Sequence, residues 1–328
     1  MFDKLKFKIS SLVILTFSLC FIIIGVISYS VIRTVIYDNF IDFSVKNINQ
    51  KINNIKIYSK FIEETSKQVT ANPDTIRILK HQESLLNIVY LLDSVKQSHL
   101  GVLGVALFDT SGTTYLSNYT TAYPPLSKLL NNEVISKLLA SGQASFWSVR
   151  TQDISGYYNN TRYAEEYGVI TFVSKIFDDT NNLRGYLFID IDPQYAYSFF
   201  NSSDRAFPNH TSAYIVNPES GILPSKLNLP PTAELLYEIN DSMNITNGYK
   251  IAASKKFILA CNDFFNNNKI IVVVPLADLY TKLNQMIIIM LSVIVVLIFL
   301  STVTALLLTN SISVPLTDLY KKMRNNSV

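Results

Sequence analysis

The chain has 328 residues, of which 48% are hydrophobic and 16% are charged, and its formal net charge is +3 at pH 7. The positive charge is concentrated at the two ends, where six cations against Asp3 and Asp318 leave +4, while the rest of the chain carries −1. This distribution is typical of a membrane-topology signal and gives no support to nucleic-acid binding. The six cations are Lys4, Lys6, Lys8, Lys321, Lys322 and Arg324.

Two uncharged apolar runs, residues 9–32 and 286–308, bracket the mostly polar stretch 33–282. About 20 apolar residues in a helix cross the roughly 30 Å hydrocarbon core of a bilayer, and both runs reach that length. Because short basic flanks stay in the cytoplasm, the sequence predicts two membrane spans, 9–32 and 283–309, with both termini inside and the central region outside. A cleaved signal peptide is the alternative for the first run, but this run exceeds the usual length of about 7–15 residues.

A long helix is predicted after the first span, because apolar and small residues recur at alternating steps of four and three from Ile41 to Val69. That spacing is typical of a heptad seam. Two interpretations stay open: the seam packs on the helix's own domain, or it pairs with a second copy in a dimer stalk. Asn72 and Pro73 end the helix, since proline cannot continue the hydrogen-bonded ladder. A second helical stretch, 74–98, follows. The seam residues are Ile41, Val45, Ile48, Ile52, Ile55, Ser59, Ile62, Ser66 and Val69.

The pattern then changes to strands, and it occurs twice. An apolar run at 101–108 followed by a Gly-containing turn predicts a hairpin, and a closing strand at 185–191 leads into a helix start at Asp192. The same order recurs with a hairpin at 213–223 and a closing strand at 269–274. The sequence therefore predicts an α+β fold with two modules in tandem.

Two PAS-like modules behind a long helix and between two membrane spans resemble the double Cache (dCache) sensor region of bacterial receptors. The resemblance implies a cytoplasmic N-terminus (1–8), a stalk with helices (33–100), a membrane-distal module (101–200) and a membrane-proximal module (201–282). It also implies a location in the bacterial plasma membrane. The two cysteines, Cys20 in the first span and Cys261 in the second module, cannot pair with each other within one chain, and Cys261 is expected to be buried and inert.

The tail 310–328 is similar to the first helix of a HAMP signalling domain, with Pro-Leu just after the membrane. The resemblance assigns signal coupling to Pro315, Leu316, Leu319 and Met323, and the whole is most like a sensor histidine kinase. The chain departs from that family because nothing in it resembles a phosphoacceptor His box or an ATP site. We therefore expect no catalytic residues and no enzymatic activity in this chain, which would become a kinase only if the gene continues beyond Val328.

The ligand site is expected in the membrane-distal module, as in double Cache receptors. The strand 145–150 and the loop 156–167 combine aromatic rings with cations, which suits a small polar ligand bearing a carboxylate, or a sugar stacked on rings. In the alternative interpretation, Trp147 belongs to the core and the Tyr-rich loop is a solvated cover. The motif of the amino-acid-binding subgroup, an Arg followed by Trp-Tyr, is absent, so amino-acid binding is not carried over. The candidate ligand-binding residues are Trp147, Arg150, Tyr157, Tyr158, Arg162, Tyr163 and Asp190.

Two classes of function compete. The first is a homodimeric membrane receptor that senses a small extracellular ligand and signals to a cytoplasmic output domain or partner, as a kinase or as a chemoreceptor. The second is a non-signalling surface protein anchored twice. Three scattered histidines (His81, His99 and His210) predict no metal site, and the sequence predicts no cofactor. Asp190 and Asp192 fit a strand residue and a helix cap better than a catalytic carboxylate pair.

Overall fold

The structure is a computed structural model that describes residues 2–81, 85–120, 122–150, 166–200, 211–217, 221–223, 231–253, 255–265 and 268–325. The chain divides into two compact units. The membrane unit comprises Met1–Asp42 and Ala277–Val328, and the central unit comprises Phe43–Leu276.

Two long helices supply the membrane unit. Helix α1 runs over Phe2–Thr70, and the last helix of the chain, α8, runs over Ala277–Asn325 with Pro315 inside it. Both contain stretches long and apolar enough, by length and composition, to span a bilayer. Their large apolar side chains are exposed in the protein alone, for example Leu12 at 69% and Ile288 at 68%, as expected for surfaces that face lipid.

The two helices of the membrane unit approach each other closely. The Ser10 hydroxyl donates a hydrogen bond to the Thr309 hydroxyl at 2.8 Å. A Cβ atom at Gly25 would overlap the Cδ1 atom of Ile294, so the glycine allows this approach. Small residues and polar cross-links of this kind are common between membrane helices.

In the central unit, the heptad seam of α1 is buried within the protomer. Ile48, Ile52, Ile55 and Ile62 are at most 2% exposed. Of the two interpretations that the sequence left open, the structure shows the seam packed on its own domain. Helix α2 (Pro73–Leu79) then begins behind Asn72, whose side chain accepts a hydrogen bond from the backbone N–H of Asp74.

The predicted second helical stretch is two helices, α2 and α3 (Leu85–Ser98). Helix α2 ends at Leu79 with Lys80 as its C-cap, and His81 has a positive φ of 57°. An α-helix cannot continue through a residue in this left-handed conformation.

The first sheet is antiparallel with five strands in the order β2-β1-β5-β4-β3. On one face, the short helices α4 (Leu126–Leu130) and α5 (Glu133–Ala140) cover an apolar cluster that includes Phe108, Phe146 and Phe188. The strands are β1 (Val102–Asp109), β2 (Thr114–Leu116), β3 (Ser145–Arg150), β4 (Val169–Phe177) and β5 (Leu183–Ile191). Helix α6 (Pro193–Ser198) follows β5, and its cap is the predicted Asp192, which accepts a hydrogen bond from the Gln194 N–H at 2.8 Å.

The second sheet repeats this topology, with the order β7-β6-β10-β9-β8. The fold is therefore α+β with two equivalent antiparallel sheets, in agreement with the repeated hairpin and closing strand of the sequence. Helix α7 (Ala233–Asp241) packs on this sheet, and a short 3-10 turn, Ser242–Asn244, follows it. The strands are β6 (Ser212–Asn217), β7 (Gly221–Ile222), β8 (Gly248–Ala252), β9 (Phe257–Asp263) and β10 (Lys269–Pro275).

Candidate ligand-binding site

A row of polar residues crosses the first sheet on the face that carries the apolar cluster. Ser148 of β3 pairs with Thr171 of β4, and Thr171 pairs with Asp190 of β5. Directly paired residues of neighbouring antiparallel strands present their side chains on the same face. Arg150 lies two residues after Ser148, and because side chains alternate along a strand it shares this face.

Arg150, Thr171 and Asp190 form one hydrogen-bonded group. The Arg150 Nε–H donates to the Thr171 hydroxyl at 2.8 Å, and that hydroxyl donates to Asp190 Oδ1 at 2.6 Å. The Arg150 Nη2 group donates to Asp190 Oδ2, which completes an ion pair. The side chains of Arg150 and Asp190 are 1% and 0% exposed. The sequence-predicted residues Arg150 and Asp190 are thus brought into direct contact.

The buried ion pair restricts the charge of anything that binds beside it. Removing one partner of a buried pair typically costs about 3–5 kcal/mol, because the other charge is left uncompensated in a poorly solvated place. A ligand with only a carboxylate would draw Arg150 away from Asp190 and incur that cost. A ligand that leaves the pair intact avoids it, as does one that supplies both a cation and an anion.

Ser148 supplies a polar atom that none of the described residues satisfies. The residue is 2% exposed, and its hydroxyl oxygen is buried without a hydrogen-bond partner among the described residues. A buried polar atom left in this state costs about 1–3 kcal/mol and calls for an explanation. Ser148 is a site residue that the sequence analysis did not select, although its position two residues before Arg150 marks it as a neighbour on the same face.

Aromatic side chains adjoin the polar row. The Cζ atom of Arg150 lies 6.0 Å from the centre of the Tyr123 ring, within the range of a cation–π interaction. Phe108 and Phe188 pack edge to face at 5.4 Å, and Tyr123 packs on both. The face therefore combines a neutralised ion pair, a free hydroxyl and an apolar, aromatic surround, which is the usual composition of a small-molecule site.

Trp147 lies on the opposite face of the sheet. Its indole N–H donates to Glu63 Oε1 of α1 at 2.8 Å, and its ring stacks on Phe265 at 4.1 Å with an interplanar angle of 13°. The physical reason is the alternation of side chains along β3: Trp147 is an odd number of residues from Arg150, so the two cannot share a face. The structure thus does not bring Trp147 together with Arg150 and Asp190.

The corresponding face of the second sheet carries an apolar cluster and a partly exposed cation, Lys250 of β8, which pairs with Glu238 and Asp241 of α7 at 2.8 and 2.7 Å. Its cluster is formed by Tyr214, Val216, Leu235, Ile239, Ala252, Leu259, Cys261, Ile271 and Val273. Cys261 is fully buried, and burial raises the pKa of its thiol above the ordinary value, against a smaller opposing effect of a hydrogen bond with Ser242. The thiol is therefore kept in its unreactive, protonated form.

Several predicted site residues lie outside the described part of the chain. These are Tyr157, Tyr158, Arg162 and Tyr163. The signal-coupling position Pro315 lies inside α8, and the backbone of Leu316, Leu319 and Met323 continues the same helix. Over the described ranges, no three side chains of His, Cys, Asp or Glu come together as a metal-binding group.

No protein-family model and no curated protein matches the chain. Several solved structures of sensory domains resemble it. A domain of a protein assigned to the sensory box/GGDEF family from Vibrio parahaemolyticus has a TM-score of 0.53 at 13% identity, and the match covers 72% of this chain and 96% of that domain. The extracellular domain of vpHK1S-Z8, a protein assigned as a histidine kinase, has a TM-score of 0.53 at 12% identity. The match covers 76% of this chain and 98% of that domain.

The periplasmic sensory domain of the Campylobacter jejuni chemoreceptor Tlp1 has a TM-score of 0.51 at 12% identity and covers 73% of this chain and 96% of that domain. At such low identities these likenesses concern the fold. The chain therefore has the fold of receptor sensory domains, and in the sequence this fold is flanked by two helices able to span a membrane.

Proposed function

We propose that this protein is a two-span membrane receptor of the double Cache type, whose central unit binds a small polar ligand outside the cytoplasm. The observation that carries the proposal is the polar row of Ser148, Thr171 and Asp190 with Arg150, buried on one face of the first sheet. On the equivalent face of the second sheet, the cation Lys250 is partly exposed and already paired with Glu238 and Asp241 of α7. The first module is therefore the binding module, and the second is a structural one.

The ligand carries no net charge: it is either neutral or a zwitterion. The Arg150–Asp190 pair disfavours the binding of a ligand whose only charge is a carboxylate, because such a ligand would leave Asp190 unpaired. The sequence predicts either a carboxylate-bearing ligand or a sugar, and the ion pair makes a simple carboxylate the less favourable of the two. A neutral ligand with hydroxyl or amide groups can use the Ser148 hydroxyl and leave the ion pair intact. A zwitterion can instead replace both members of the pair at once.

Signal output lies in the cytoplasm, with both termini inside and the HAMP-like segment around Pro315 coupled to an output domain or partner. The protein acts as a homodimer, and the 328 residues of this chain supply its sensor part. The output is a two-component phosphorelay, with a chemoreceptor as the alternative. Both alternatives are compatible with the fold, since similar sensory domains occur in a protein assigned as a histidine kinase and in a chemoreceptor.

A thermal-shift screen of the full-length protein in detergent tests the binding proposal. The panel contains neutral sugars, polyols and amides, zwitterions, and monocarboxylates. A ligand at a hundredfold excess over its dissociation constant stabilises the folded state by about 2.7 kcal/mol, enough to raise the melting temperature measurably. We expect hits among the neutral or zwitterionic compounds and a loss of those hits in the Arg150→Met variant.

Ser174→Ala provides a matched control for the screen, because Ser174 is a buried serine in β4, three residues after Thr171 and therefore on the other face of the sheet. Hits must survive this change. Hits confined to monocarboxylates, or hits that survive Arg150→Met, would show that the ligand binds elsewhere or by other chemistry.

A further inference from the structure

The edge strand β3 connects two different environments. Among the described residues it pairs only with β4, which places it at the edge of the sheet. Arg150 extends from it into the binding face, and Trp147 extends from it into the opposite face. Three residues of strand separate them by only about 10 Å along the chain. If a movement of Arg150 displaces β3, Trp147 is therefore displaced as well.

Trp147 is the meeting point of three distant parts of the central unit. Glu63 from α1 accepts its indole N–H at 2.8 Å, and Phe265 from the loop between β9 and β10 stacks on its ring. Phe172, the cross-strand partner of Trp147, packs against the ring at 4.8 Å. The residue is 6% exposed. The indole is thus buried between the first module, the long helix and the second module.

The partners of Trp147 are themselves held in place. The Asn268 backbone N–H and side-chain amide donate to the Phe265 carbonyl at 2.9 and 2.7 Å, and the Phe264 N–H donates to the Asn268 carbonyl at 2.8 Å. Asn268 directly precedes β10, the central strand of the second sheet. A displacement of the Trp147 ring is therefore opposed by Phe265, whose backbone carbonyl is held by two hydrogen bonds.

We propose that the junction of Trp147 with Glu63 and Phe265 couples the state of the Arg150–Asp190 pair to α1 and to the second module. Trp147 is then a positioning residue that does not touch the ligand. The importance of this coupling for signalling rests on the proposed function, but its existence does not. Close packing favours discrete rearrangements over gradual deformation, so a change at Arg150 is expected to alter how the indole is seated.

Trp147 is the only tryptophan in the chain, so its fluorescence reports this junction alone. We would measure the emission maximum and acrylamide quenching of the full-length protein in nanodiscs for wild type, Asp190→Asn and Arg150→Lys. Both variants perturb the ion pair on the binding face and leave all three residues of the junction unchanged. Asp109→Asn is the matched control, since Asp109 is a buried aspartate of the same sheet, in the β1–β2 turn.

We expect the emission maximum and the quenching constant to change in Asp190→Asn and Arg150→Lys and to stay at wild-type values in Asp109→Asn. Arg150→Lys keeps the cation and maintains the test if Asp190→Asn fails to fold. Unchanged Trp147 fluorescence in the folded variants of the ion pair would overturn the coupling. A change of equal size in Asp109→Asn would overturn it too, because the effect would then be a general loosening of the sheet.

Amide hydrogen exchange distinguishes a coupling residue from a merely structural tryptophan, because only coupling through Trp147 transmits a change at the ion pair to the exchange rates near Phe265. In Asp190→Asn or Arg150→Lys, the amides of Phe264 and Asn268 should exchange faster by about twofold or more, the lower end of measured coupling between interacting residues. In a Trp147→Phe background the same substitutions should leave those two rates unchanged. Acceleration that persists without the indole would show that Trp147 is not the connection. None of these measurements uses a ligand. A negative result here therefore does not contradict the binding proposal, and a ligand screen without hits does not contradict the coupling.

Discussion

The Ser148 hydroxyl is a buried polar atom of the binding face without a hydrogen-bond partner within the described residues. Its neighbours in the same row satisfy one another: Thr171 bonds both Arg150 and Asp190. A buried hydroxyl without a partner makes the free protein less stable than it need be. We interpret this cost as the trace of a ligand hydrogen bond that forms only in the complex.

The Ser148→Ala substitution separates stability from binding. Without the hydroxyl there is no buried polar atom to satisfy, so we expect the free energy of unfolding of the free protein to stay the same or to rise. Ligand affinity should fall by roughly 2- to 12-fold, the equivalent of one neutral hydrogen bond of about 0.5–1.5 kcal/mol. Urea unfolding and titration calorimetry with a hit from the screen measure the two quantities. A variant that is less stable but binds as tightly as wild type would assign Ser148 to the core.

At the residue scale, the sequence allowed the prediction of part of the site. Arg150 was selected as a cation beside aromatic rings, Asp190 was among the candidate residues, and the structure brings the two together. Trp147 was grouped with Arg150 by proximity in the sequence, although strand alternation puts it on the other face. The pairing of Arg150 with Thr171 and Asp190 was not predictable, because it depends on the register of strands that are about 20 to 40 residues apart in the chain.

At the element scale, helix α1 shows why a heptad pattern does not identify its partner. The seam is satisfied by burial against the protomer's own domain, as Ile48, Ile52 and Ile62 show. A stripe of apolar side chains can pack on any apolar surface, so the periodicity alone predicts a buried face and leaves the neighbour open. A second set, Phe43, Ile57 and Phe61, remains between 48% and 60% exposed in the protomer.

A homodimer formed through α1 has to use this exposed stripe, since the predicted seam is already occupied. In a two-fold symmetric pair, a residue on the axis lies next to its own copy. We therefore expect Ile57→Cys, in a Cys20→Ser background, to form an intermolecular disulfide in native membranes. Lys56→Cys, exposed and turned by about 100° from Ile57 around the same helix, is the control. Equal cross-linking at both positions, or none at Ile57→Cys, would contradict a dimer through the stripe.

The β4–β5 hairpin contains a carboxylate that makes its stability depend on pH. Asp178 accepts hydrogen bonds from the Thr180 hydroxyl at 2.6 Å and from the Asn182 N–H at 3.0 Å, and Arg184 donates to its other oxygen at 2.7 Å. These bonds, the one from the Thr180 hydroxyl foremost, hold the pKa of Asp178 well below its ordinary value of 3.8, against the opposing effect of burial. Stabilisation from a lowered pKa is present above the ordinary value and is lost as the pH falls towards the folded-state pKa.

Asp178→Asn should therefore be less stable than wild type at neutral pH, with a difference that shrinks as the pH falls below about 4 and the wild-type carboxylate becomes protonated. Urea unfolding at a series of pH values measures the difference. The neighbouring Asp179→Asn, at an exposed position, controls for the loss of one negative charge. A difference between wild type and Asp178→Asn that is constant from neutral to acid pH would mean that the carboxylate charge does not contribute.

At the scale of the whole molecule, the order of parts was more predictable than their interior. Two apolar runs, a long helix and a repeated hairpin with a closing strand each carry a local signal, because length and periodicity depend on neighbouring residues only. The equal strand order of the two sheets follows that repeat. The equivalent faces differ in their ion pairs, fully buried between Arg150 and Asp190 in the first sheet and partly exposed between Lys250 and Glu238 in the second. This difference arises from single side chains, which no periodicity predicts.

The proposed receptor function also makes the phase of α8 important. If a signal reaches the cytoplasm through this helix, the rotation of the segment around Pro315 relative to the start of the helix must be kept. One alanine inserted after Thr281 rotates everything downstream by about 100°, at 3.6 residues per turn. Seven inserted residues bring the phase back to within about 20°.

We expect the single insertion to lock or abolish the ligand response of a chimera with a known kinase output, and the seven-residue insertion largely to restore it. A ligand shifts output only through its different affinity for two arrangements of the receptor, so ligand binding itself should survive both insertions. Kinase activity in membrane vesicles, with and without ligand, measures the response, and equal responses from the two insertions would favour signalling through a separate partner protein.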